Sequence, residues 1–203
     1  MRKGRLFVFG VAMLSGIFVF FDLSGTAFCT TTPTEFVRGA VDSAVNILSD
    51  ASINPESRSE KIRTLMKETF DVPAMSYRML EQNWGDQGFA KRQEFMDLFV
   101  ALLEKTYSRN IEFSKGFAVT YLSEHLDEDG INATVSTLVP YRGGDISVSY
   151  RLRREYESWK VYDLQVASIS LVNSYRSQFK AILGKTSFDG LLKRLKDRVE
   201  RKD

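Results

Sequence analysis

Cysteine and histidine are almost missing from this sequence: Cys29 and His125 are the only ones in 203 residues. A lone thiol cannot close an internal disulfide, so the fold must rest on packing rather than on covalent staples. One cysteine and one histidine also fall short of the ligand set of a structural zinc site, and no metal is expected. Cys29 falls near the expected N-terminus of the mature chain, where ends are usually poorly tied down, so a Cys–His catalytic pair is not expected either. His125 sits beside Glu124, Asp127 and Glu128. A role as base or ligand needs a second group that its segment does not supply, and the simpler reading is an exposed histidine at the end of a strand.

Catalytic signatures are absent as well. The chain has no GxSxG elbow, no phosphate-binding Walker loop and no HExxH helix. Arg142-Gly143-Gly144 reads as a tight hairpin turn rather than a phosphate loop, because no helix N-terminus follows to hold an anion. Asp163 is the one acid inside a strongly apolar segment. A catalytic carboxylate there needs a partner, and none is evident. A structural carboxylate, accepting bonds from backbone or from an arginine such as Arg176, is the favoured reading.

An excess of one charge sign is missing too: 28 basic against 26 acidic residues give a net charge of +2. That leaves no broad basic field, and no nucleic-acid partner is expected. Long apolar runs are confined to one place, Leu6 to Phe21, broken by Gly10, Ser15 and Gly16. Arg2, Lys3 and Arg5 precede the run, and the small-x-small triplet Gly25-Thr26-Ala27 follows. This is the layout of a secretory signal peptide, and the run is short of the ~20 residues that span a bilayer. The expectation is a signal over residues 1–27, cleaved after Ala27, with a retained anchor as the rival. Lipid attachment at Cys29 is disfavoured by the bulk of Phe28. The signal holds three bases and one acid, so its removal takes the net charge from +2 to 0.

Residues 28–203 are enough for a single domain with a real core. Thr32-Pro33-Thr34-Glu35 predicts a capped helix start, with Val37, Val41, Ala44, Val45 and Leu48 on one face. Asn54-Pro55 opens a second helix carrying Ile62, Leu65 and Met66. Asp71 caps a third, running through Met75, Met79 and Leu80 toward Trp84. The longest helix spans about Ala90 to Phe113. Its apolar stripe of Phe95, Leu98, Phe99, Leu102, Leu103, Tyr107 and Ile111, widened by Met96 and Val100, is broader than one sheet contact needs.

From Phe117 the apolar period changes from 3.6 to 2. Four strands follow, the first with Val119 and Tyr121, the second with Ile131, Ala133, Val135, Val139 and Tyr141. The third carries Ile146, Val148, Tyr150 and Leu152, and the fourth runs from Trp159 to about Ile169. Short turns make this an antiparallel meander. Two helices close the chain, the second capped by Ser187. The predicted class is α+β: a four-stranded antiparallel meander with helices packed on one face. Fifteen Phe and eight Tyr fill either an ordinary core or an interior left partly open for a greasy ligand; periodicity does not separate the two.

Two stretches bear on that choice. The first is Trp84 with Gln93-Glu94-Phe95, Phe99, Leu103 and Thr106-Tyr107. The second is Trp159-Lys160-Val161-Tyr162-Asp163-Leu164, continuing through Ser170-Leu171-Val172 to Tyr175-Arg176-Ser177-Gln178-Phe179. With Phe70-Asp71 and Tyr150 they resemble, in the same order, the periplasmic phospholipid-binding component of the Mla transport system, the toluene-tolerance family. The resemblance departs at Ala167-Ser168, where the family shows Glu-Gly, and at Ser174, where it shows asparagine. It implies a periplasmic carrier rather than an enzyme, with acyl chains in an apolar cavity between helices and sheet. It also implies shuttling of phospholipid between an outer-membrane lipoprotein complex and an inner-membrane ABC transporter complex, which maintains outer-membrane lipid asymmetry. Strand parity and helical phase then nominate the lining: Phe95, Phe99, Leu102 and Leu103 from the long helix, facing Val119, Tyr121, Val135, Val139, Val148 and Tyr150 from the sheet. Met75 and Leu80 are nominated for the mouth.

Overall fold

A computed structural model describes residues 31–108, 118–141 and 144–201. The expected signal segment, Cys29, Ile111 and Phe113 of the predicted long helix, and the predicted turn at Arg142-Gly143 lie outside the described residues, as does the side chain of Tyr107.

Helix α1, Pro33–Ser49, begins where the capping box predicts: Thr32 Oγ1 accepts from Glu35 N–H and the Glu35 carboxylate accepts from Thr32 N–H. Two sheet residues then pin its first turn. Glu124 accepts from the Thr34 N–H at 2.8 Å, placing an anion at the positive end of the helix, and the Trp159 indole donates to the Thr31 carbonyl at 2.9 Å. Helix α2, Pro55–Thr69, is capped by Asn54. Helix α3, Val72–Leu80, is capped by Asp71, whose other carboxylate oxygen pairs with Arg153 at 2.8 Å. The Asp71 N–H donates to the Val161 carbonyl, so one residue ties the helices to the sheet through both backbone and side chain. The third helix does not run on to Trp84. Glu81 adopts φ +51°, and a separate one-turn helix α4, Gln82–Gly85, follows. Helix α5 is Phe89–Ser108.

The sheet has the order β1-β2-β3-β4-β5 and is antiparallel throughout. Its strands are β1 Thr120–Leu126, β2 Asn132–Tyr141, β3 Gly144–Glu155, β4 Ser158–Val166 and β5 Ile169–Ser170. The fifth strand is the difference from the four expected. It is two residues long, and periodicity cannot register so short a strand. The turn that creates it uses Ala167 at φ +47° and Ser168 at φ +66°. Both are left-handed positions that favour glycine and cost non-glycine residues roughly 1–2 kcal/mol each. Helices α6, Leu171–Leu183, and α7, Phe188–Glu200, are capped by Ser170 and Ser187.

Two apolar clusters organise these elements. One joins α3, α5, α6 and α7, with Met75, Leu80, Phe95, Phe99, Leu102, Tyr175, Phe179 and Leu191 among its buried members. The other lies on the inner sheet face beneath α1, with Val37, Ala133, Val135, Leu152, Trp159 and Val161. Phe70, at the end of α2, packs against both. No helix among the described residues is long and apolar enough to cross a membrane.

Candidate functional site

Between the two clusters the interior stays open. A cavity of about 220 Å³ lies between the α1–α2 hairpin and the inner sheet face. One water needs only roughly 10–15 Å³ of such space, so this is no packing defect.

Helix α1 contributes Val37, Ala40, Val41, Ala44 and Leu48, and α2 contributes Ile62, Leu65, Met66 and Thr69. Phe70, Leu103 of α5, Val119 and Leu171 close the ends, and Val139, Tyr150, Val161 and Leu164 form the sheet wall. Thr69 and Tyr150 are the lining residues with polar side-chain atoms. An apolar lining of this kind favours apolar guests.

Helix α2 is held in place by polar contacts on its other side. Ser59 and Arg63 both donate to the Glu104 carboxylate of α5, at 2.8 and 3.3 Å, and Lys67 pairs with Asp97 at 2.6 Å. Glu104 is buried and accepts from both. Lys160 reaches from β4 to the Lys67 and Glu68 carbonyls at the end of α2. One flank of the cavity is therefore a fixed wall.

Tyr150 is half-buried, its free surface turned to the cavity. Burial pushes its phenol up to about 12; the neighbouring Tyr121 adds to this, and the Thr137 hydroxyl opposes it. It is neutral at physiological pH and offers no base. The acids singled out in the sequence lie elsewhere. Asp163 is buried and accepts from the Val172 N–H at 3.2 Å, in the first turn of α6. That is the structural role, filled by backbone rather than by Arg176, which pairs with Glu81 at 3.4 Å. His125 is exposed, 3.6 Å from Asp127. No group of three potential metal ligands occurs among the described residues.

The nominated lining residues separate into two sets. Leu103, Val119, Val139 and Tyr150 line the cavity. Phe95, Phe99 and Leu102, with Met75 and Leu80, are sealed inside the helical cluster. Val135 is buried in the sheet cluster, Val148 is buried, and Tyr121 packs at the cluster's edge. The wide stripe of α5 is met by α3, α6 and α7 rather than by the sheet, so its rings face other rings. What sequence reasoning passed over is the α1–α2 hairpin. The signal was present in the small residues of the α1 face, Ala40, Val41 and Ala44. Alanines on that face leave a gap to the sheet beyond the point where Val37 packs into it.

Comparison with known proteins accords with this architecture. A phospholipid-binding protein from Ralstonia solanacearum, solved in complex with a phospholipid, superposes with a TM-score of 0.73 at 22% identity, over 81% of this chain and 94% of that one. At that identity the match establishes the fold. No curated protein matches the chain. The MlaC protein family, in contrast, matches over residues 38–197, from the second turn of α1 to the last turn of α7. That span takes in every cavity-lining residue except Val37, and the chain belongs to the MlaC family.

Proposed function

We propose that this protein is a periplasmic phospholipid carrier, exported by residues 1–27 and acting through residues 28–203 as one domain. The carrying observation is the large cavity whose lining supplies apolar atoms almost throughout. Membership of the MlaC family supports the reading, as does the fold shared with a protein that was solved holding a phospholipid. Acyl chains would lie against the α1–α2 hairpin, Leu103, Val119, Val139 and Tyr150.

The energetics suit a carrier. A two-chain lipid hides about thirty methylenes, each worth roughly 0.8 kcal/mol against water. Moving them from bilayer to a dry slot is close to neutral, so uptake and release need no chemical step. Catalysis is not part of the proposal. The cargo would pass between an outer-membrane lipoprotein complex and an inner-membrane ABC transporter complex, which maintains outer-membrane lipid asymmetry.

Transfer between two populations of vesicles tests the carrier role. With labelled phospholipid in donor vesicles, substoichiometric protein should move many lipids per molecule into acceptors. Transfer no faster than the spontaneous rate would defeat the proposal.

A further inference from the structure

On the side of the sheet away from the cavity, two guanidiniums share one aromatic ring. Tyr150 and Leu152 of β3 point inward, so Arg151 between them points outward. Its outward neighbours on β2 and β3 include Thr134, Ser136 and Ser149, and none of the outward residues of these two strands is buried. At the β4 margin, Arg151 pairs with Asp163 and Leu152 pairs with Val161, so Tyr162 is the extra residue of a β-bulge. Bulges re-aim a side chain. The Tyr162 ring has the Arg78 guanidinium of α3 at 4.4 Å from its centre and the Arg151 guanidinium at 5.9 Å. Both distances are those of cation–π contacts.

Two like charges held on one ring repel each other, and an acid between them would relieve the repulsion. The nearby acids are engaged elsewhere. Asp163, opposite Arg151, is buried and accepts from the Val172 N–H. Asp71 pairs with Arg153, and Glu81 pairs with Arg176. Helix α3 has no acid of its own. Among the described residues, neither Arg78 nor Arg151 forms an ion pair. Tyr77 stands exposed beside Arg78 on α3, and tyrosine with arginine is the composition of protein–protein contact centres. Guanidiniums steadied on a ring match carboxylates through paired N–H···O bonds. A membrane surface would call for a broad basic field, and the chain's net charge is only +2.

We infer that Arg78, Tyr162 and Arg151 form a docking surface for an acidic segment of a partner protein, whose carboxylates take the two guanidiniums. The tyrosine fixes the arginines in place, and the short side chains around Arg151 leave room for the partner. The surface lies across the sheet from the cavity, so the inference goes beyond the carrier reading and does not rest on it.

The probe is a fluorescein-labelled hexaglutamate peptide, titrated with the purified protein at low salt and followed by anisotropy. The original should bind it, and binding should fade as salt rises. Arg78→Ala and Arg151→Ala should each weaken binding about tenfold, the value of a charge-assisted contact. Tyr162→Leu keeps every charge and should also weaken binding, because the arginines lose the ring that steadies them. Lys193→Ala combined with Arg194→Ala removes two exposed charges from α7 and should leave binding unchanged. No binding by the original, undiminished binding by the arginine variants or by Tyr162→Leu, or equal weakening by the α7 pair overturns the inference. Attachment to phosphatidylglycerol vesicles without peptide binding overturns it in favour of a membrane surface. Lipid recovered by organic extraction should be the same for the original and the arginine variants, so a failure here is distinct from a failure of the carrier reading.

Discussion

The half of the molecule built on α5 and the half built on α1 treat the same kind of side chain differently. Around α5, rings close on one another: Phe95 stacks on Phe99 at 6.1 Å, Phe179 meets Phe95 edge-on at 5.6 Å, and Tyr175 meets Phe99 edge-on at 5.2 Å. Under α1, Val41, Ala44 and Leu48 remain only half-buried and line the cavity. Both helices are amphipathic, and both turn their apolar face inward. The difference lies in reach. Phenylalanine and leucine on α5 span the distance to α3, α6 and α7, whereas on α1 Val37 reaches the sheet cluster and Ala40, Ala44 and Leu48 leave the space that becomes the cavity. Atoms along the cavity wall forgo dispersion contacts that a filled core would have. The dense half therefore supports the fold alone, and the open half is the part that a ligand would stabilise.

The largest way to break this contrast is in the dense half. Phe99→Ala removes a ring with 0% exposure and should lower the unfolding free energy by about 3–5 kcal/mol in urea titration. A loss below about 1 kcal/mol would mean that the cluster is looser than its ring geometry.

Next comes a matched pair of enlargements. Val100→Phe pushes a ring into the dense cluster at a position 1% exposed, and should destabilise by about 1–3 kcal/mol. Ala44→Phe points a ring of the same size into the cavity, and should change stability by less than about 1 kcal/mol while abolishing lipid uptake. Equal destabilisation by the two would erase the distinction between the halves.

The smallest effect is confined to alkaline pH. The Tyr150 phenol is raised to about 12 by burial against the cavity wall, against roughly 10 in the unfolded chain. The folded state therefore keeps its proton longer than the unfolded state does. Its contribution is complete below pH 10 and declines as pH rises toward 12, because the unfolded chain binds fewer protons there. Stability should fall across that window, and Tyr150→Phe should make the fall shallower. An unchanged slope in the variant would assign the decline to other groups.

Much of the fold was legible because its local signals have local causes. Thr32 with Glu35, Asn54 with Pro55, Asp71 and Ser187 each mark a helix start, and each side chain satisfies the orphan N–H groups where it was expected to. The strand alternation from Ile131 to Leu152 placed Ala133, Val135 and Leu152 inward and all three are buried, whereas Ile131 and Tyr141, counted on the same face, lie exposed at the strand ends. The limits were also physical. Periodicity tells which face of α5 is buried but not what buries it, so Phe95 and Phe99 were matched to the sheet although α6 and α7 meet them. The turn at Ala167-Ser168 carries no glycine, so nothing in the composition announced β5. The cavity was hardest to locate, because it depends on the length of side chains across a gap, and that gap is set by the tertiary fold. Leu103 was placed at it by helical phase and Val119, Val139 and Tyr150 by strand parity, whereas the α1–α2 hairpin entered only with the structure.

The measurement closest to the central claim is organic extraction of the purified protein, with the released lipid identified by mass spectrometry, alongside Ala44→Phe. Phospholipid at near one molecule per chain in the original, and almost none in a folded Ala44→Phe variant, is the predicted result. Protein that carries no lipid and takes up none when it is offered, or a variant that retains as much as the original, would contradict the account.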